Sequence, residues 1–73
     1  MAQLTHDQYD ALERAVFRGN RISIIRRGRP DSVIVPLSLR LRDGREAIDT
    51  RHPTTGQPMV VYLDEIDGIE VVG

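Results

Sequence analysis

No cysteine, tryptophan or lysine occurs anywhere in the 73 residues. Without cysteine there is no disulfide staple, no thiolate nucleophile and no cysteine-bound zinc. Without lysine, all ten basic side chains are arginines. Any anion site would therefore rest on planar, permanently charged forks that grip two oxygens at once. An arginine-favouring codon usage is the other source of the same bias. Aromatic side chains are scarce, namely Tyr9, Phe17 and Tyr62, so platforms for stacking a base are few. No apolar run approaches the ~20 residues that cross a bilayer, and the N-terminus has no signal-type apolar segment. The expected setting is the cytoplasm, with no membrane partner.

What is present is alternation. Val33, Val35, Leu37, Leu39 and Leu41 share one parity, while Ser32, Ser38, Arg40 and Arg42 hold the other. A period of two predicts a strand with one dry face, broken or bent at Pro36, which has no N–H to donate. On this pattern Leu37, Leu39, Leu41, Val61, Leu63, Ile66 and Val71 are expected to form one core, covered by Leu12 and Val16. A single domain over residues 1–73 is expected. A chain of this size buries only ~60% of its unfolded surface. Its thin core makes a homo-oligomer or a regulatory protein partner a natural expectation.

Thr5 and Gln8 form a capping box, and Leu4 can close on Tyr9 as a staple. Tyr9, Leu12 and Val16 then fall on one helical stripe, widened by Ala15 and Phe17. Gly19-Asn20 supplies a left-handed stop, so a helix is predicted over about residues 6–18. Short strands follow from about residue 21 to 72. Turns are expected at Gly28-Arg29-Pro30-Asp31 and at Asp43-Gly44, and a polar loop at His52–Gln57. The fold class predicted is mainly β (α+β), an N-terminal amphipathic helix before a small SH3- or Sm-like barrel of five or six strands.

Several short motifs occur in a fixed order: Asn20-Arg21-Ile22, Val35-Pro36-Leu37-Ser38-Leu39, Gly44-Arg45 and Leu63-Asp64-Glu65-Ile66. In this order the chain resembles the WYL domain, from about Ala11 to Val72. The resemblance implies an Sm-like barrel, and a bacterial regulatory module that senses a ligand or associates with nucleic acid. The family's Trp-Tyr-Leu falls on Glu46-Ala47-Ile48, and its Phe-Arg-Leu-Asp-Arg-Ile on Val61–Ile66. Tyr62 and Glu65 thus stand where that motif carries arginines. These departures favour the alternative, a protein-interaction or oligomerisation barrel that has lost the ligand site.

Charge is unevenly spread. Arg14 to Arg29 holds six arginines and no acid, whereas Asp64 onward holds four acids and no base. The candidate site for an anionic ligand or single-stranded nucleic acid is Arg21, Arg26, Arg27 and Arg29, joined by Arg45. The acids Asp64, Glu65, Asp67 and Glu70 are either a solvated turn or a match for the arginine-rich strand of a neighbouring copy. His52 and Asp49 are too few for zinc, which needs at least three protein ligands. No serine has a base at a suggestive spacing, and the glycines form no phosphate loop. Neither metal, cofactor nor catalysis is expected.

Overall fold

The chain enters its helix through a reciprocal cap. Thr5 Oγ1 accepts from the Gln8 N–H at 3.2 Å, and Gln8 Oε1 accepts from the Thr5 N–H at 3.1 Å. Two donors that a helix start would otherwise leave unpaired are satisfied. In the computed structural model, which describes residues 4–72, helix α1 spans His6–Arg18 and ends at Gly19, whose φ is 71°. Leu12 and Ala15 are buried, and Leu4, Tyr9 and Val16 pack against the same cluster. Phe17 does not join them, being 91% exposed. Five residues on from Leu12, it is turned by about 140° around a helix of 3.6 residues per turn.

The strands are β1 (Arg21–Ile25), β2 (Ser32–Arg42), β3 (Arg45–Arg51), β4 (Pro58–Tyr62) and β5 (Gly68–Val72), with a 3₁₀ turn at Leu63–Glu65. They form a five-stranded antiparallel sheet in the order β4-β3-β2-β1-β5, so the molecule is a small, mostly β member of the α+β class. The central strand β2 serves two partners. Its start pairs with β1, from Ile24↔Ser32 to Ile22↔Ile34, and its remainder pairs with β3, from Val35↔Arg51 to Arg42↔Arg45. The β2–β3 hairpin turns on Asp43 and Gly44, with φ of 53° and 76°. Positive φ at both central residues gives the turn whose twist matches the strands.

The expected alternation holds only in pieces. Pro36 pairs with Thr50 and Ser38 with Asp49, which leaves Leu37 without a partner. Such a bulge swaps parity and face, so even-numbered residues point to the core before it and odd-numbered ones after it. Ile34 and Pro36 are buried before it, and Leu39 packs against the core after it. Leu37 is consequently 50% exposed and Val33 40%. Leu41 has the inward parity but lies beside the hairpin tip, 71% exposed, and Val71 on an edge strand is 50% exposed. Leu12, Val61, Leu63 and Ile66 are in the core as expected, and Ile22, Ile24, Ile34, Ile48 and Ile69 join them there.

Helix α1 ties distant parts of this sheet together. The Tyr9 hydroxyl donates to Glu46 Oε2 at 2.7 Å, beside the hairpin. At the other side, Gln8 Nε2 lies 3.6 Å from where a Cβ on Gly68 would sit, so the first residue of β5 is held close under the helix.

Candidate functional site

Unequal strand lengths create the site. β2 begins at Ser32, yet β3 ends at Arg51 opposite Val35, so among the described residues Ser32–Ile34 have β1 on one side and no strand on the other. Where β3 would have continued, the chain folds back on itself. Gly56 N–H donates to the His52 carbonyl and His52 N–H to the Gln57 carbonyl, both at 2.9 Å. His52 Nδ1 accepts from the Thr54 and Thr55 N–H groups at 3.1 Å each. An accepting Nδ1 carries no proton, so the neutral ring holds its proton on Nε2.

This departure leaves an open groove of about 480 Å³. Ser32, Val33 and Ile34 form one wall; His52, Gln57, Pro58 and Met59 form the other. Val33 and Met59 give it exposed apolar surface, each at 40%. Arg26 completes the lining, and its Nε is buried with no hydrogen-bond acceptor among the described residues. A buried donor left unpaired costs free energy that an incoming acceptor would recover. The β1–β2 turn carrying Arg26 is closed by the Arg29 N–H donating to the Arg26 carbonyl at 3.2 Å. It therefore presents Arg27 and Arg29 close to Arg26, both exposed. Among the described residues, none of Arg26, Arg27, Arg29 and Arg51 has a carboxylate partner.

Three of the five arginines predicted from the sequence thus stand together, at the β1–β2 turn. Arg21 lies at the opposite end of β1, and Arg45 begins β3 at the far end of β2. No family model, curated protein or solved structure matches this chain. The geometry therefore carries the functional argument alone. His52 is weighed from the sequence only as a metal ligand, and nothing marks Gln57 and Met59 as chemistry, so all three fall outside the sequence-based site. The signal that bears on them is the mismatch between an eleven-residue β2 and a seven-residue β3.

Arg45 is engaged within the chain. Its Nε and a terminal nitrogen grip Asp64 at 2.9 and 2.7 Å, Glu65 lies 3.5 Å away, and the guanidinium sits 3.9 Å from the centre of the Tyr62 ring. Tyr62 and Glu65, two of the positions at which the sequence departs from the motif it resembles, are therefore partners of Arg45. The Arg45 hydrogen bonds, only partly opposed by burial, hold the Asp64 carboxyl below its ordinary pKa. A carboxylate with a depressed folded-state pKa contributes stability above its unfolded pKa and loses it as pH falls through the folded value. Thermal melts from pH 6 to pH 2 should show Asp64→Asn slightly less stable than the parent at neutral pH. The difference should shrink as pH falls below the ordinary aspartate value of about 3.9 and vanish once pH is below the depressed folded value. A difference independent of pH would mean that the ion pair is not the cause.

Among the described residues, no group of three His, Asp or Glu side chains is placed to hold a metal ion. No described helix is long and apolar enough to cross a membrane.

Proposed function

We propose that the chain is a stand-alone, non-catalytic regulatory module of WYL-like type that binds an anionic ligand in the groove beside Ser32–Ile34. The observation that carries this is the buried Arg26 Nε with no acceptor, next to exposed apolar surface and unpaired arginines. In the same reading the sheet is a bent SH3- or Sm-like barrel. The support is that its two edge strands, β4 and β5, are joined only by the 3₁₀ turn and Ile66-Asp67, with Ile66 fully buried. The ligand class is a molecule that carries a carboxylate or phosphate on an apolar body. Arginine recognises the charge and Val33 and Met59 meet the rest. Nucleic acid ranks below this, because no aromatic lines the groove and Phe17 lies on the helix. The cytoplasm suits such a module.

The test is protein-observed NMR with phosphate and short-chain carboxylates. Saturable shifts are expected at Arg26, Ser32 and Val33, and Arg26→Gln should weaken them at least about fivefold, the loss of one charge-assisted hydrogen bond. Absence of saturable shifts, or shifts unchanged in Arg26→Gln, would overturn the reading.

A second reading, self-association, has its own observation. Strands β4 and β5 are both free edges five residues long, and unprotected edges invite pairing. Light scattering across a concentration series should then give masses rising above the 8.3 kDa monomer. A monomer at all concentrations and salts would remove this reading.

A further inference from the structure

We infer that the natural occupant of the groove is an extended acidic peptide segment, added to the sheet as a strand beside Ser32–Ile34. This deepens the anion-site reading and rests on it.

The argument begins with the backbone. In an antiparallel sheet, successive N–H and C=O groups point alternately to the two sides of a strand. At Ser32–Ile34 one side is taken by Ile22–Ile24 of β1, while β3 has already ended opposite Val35. The groove-facing backbone groups therefore lack a strand partner. An extended chain satisfies such a row, and small ions do not. Three paired residues span about 10 Å at the strand rise of ~3.3 Å per residue, a length suited to a peptide.

Side-chain chemistry sets the composition. An added strand shows one set of alternate side chains to each face. Val33 and Met59, both 40% exposed, offer apolar contact to one set. Arg26, Arg27 and Arg29 from the adjoining turn and Arg51 from the end of β3 supply charge, with no carboxylate partner among the described residues. Carboxylates on the ligand meet that charge, and the Arg26 side chain, whose Nε has no acceptor among the described residues, lines the groove itself. A nucleobase would instead need a stacking face, and no aromatic lines the groove.

The experiment uses fluorescein-labelled Glu-Val-Glu-Val-Glu and reads anisotropy with the full chain. Two control peptides carry either arginine in place of each glutamate or N-methyl groups on alternate amides. Glutarate, inorganic phosphate and a short single-stranded DNA are run as competitors. Binding is expected for the acidic peptide alone, weakened at least about tenfold by N-methylation, which removes strand hydrogen bonds. Arg26→Gln should weaken it as well. So should Val33→Asp, an exposed position whose new charge repels the ligand without touching the core. Saturable NMR shifts should appear at the amides of Ser32–Ile34.

Equal binding of the N-methylated peptide would overturn strand addition. Glutarate or phosphate competing as well as the peptide would overturn the peptide while leaving the anion site. No binding by any anion would overturn both. DNA outcompeting the peptide would transfer the groove to nucleic acid.

Discussion

Ile48→Asp is expected to leave the chain unfolded at 25 °C. Ile48 is fully buried in β3, with Leu39 of β2 on one side and Val61 of β4 on the other. A carboxylate there has no partner, and burying one costs several kcal/mol whether it ionises or takes up a proton. Deleting the isoleucine adds a cavity cost of about 2–5 kcal/mol. A domain of this length has only about 4–11 kcal/mol to lose, at 0.05–0.15 per residue. The matching control is Leu37→Asp, at the half-exposed bulge. It should change the unfolding free energy by no more than a surface substitution does, about 0.5 kcal/mol. Circular dichroism against urea reads both. A cooperative, near-parental transition for Ile48→Asp would sink the core assignment, and an unfolded Leu37→Asp would sink the bulge.

Leu12→Ala should be the next most damaging change, costing about 2–5 kcal/mol, because Leu12 is the fully buried contact through which α1 covers the sheet. Phe17→Ala removes a larger side chain and should cost almost nothing beyond helix propensity, within about 0.5 kcal/mol. The pair separates facing from hydrophobicity. If both substitutions cost alike, the helix does not lie on the sheet through the face described.

The helix and the hairpin were readable because their determinants are local. Thr5 with Gln8, Gly19, and Asp43 with Gly44 specify caps and turns within a few residues, and each sits where expected. The core was readable only in part. Pro36 marked where the ladder would fail, but whether the chain bends or adds a residue depends on how Thr50 and Asp49 present themselves from β3. Residue type suggested a buried Phe17, whereas helical angle decided against it. The arginines of the β1–β2 turn were legible as a group, being close in sequence. The bond from Arg45 to Asp64 crosses nineteen positions, and the groove exists only because β3 stops short of β2's beginning. Neither relation leaves a trace in composition or period.

The pairing of β1 with β5 has a consequence for biosynthesis. Every other strand contact joins neighbours across a turn, but Ile22 meets Val71 only after closing a loop of about fifty residues, which must form before its contacts reward it. A nascent chain can therefore assemble β1 through β4 while one side of β1, and Ile24 opposite the future Ile69, stay uncovered. During translation that bare edge is the sticky part of the molecule, and chaperone binding or aggregation would compete there. A message truncated before codon 68 would make that transient exposure permanent.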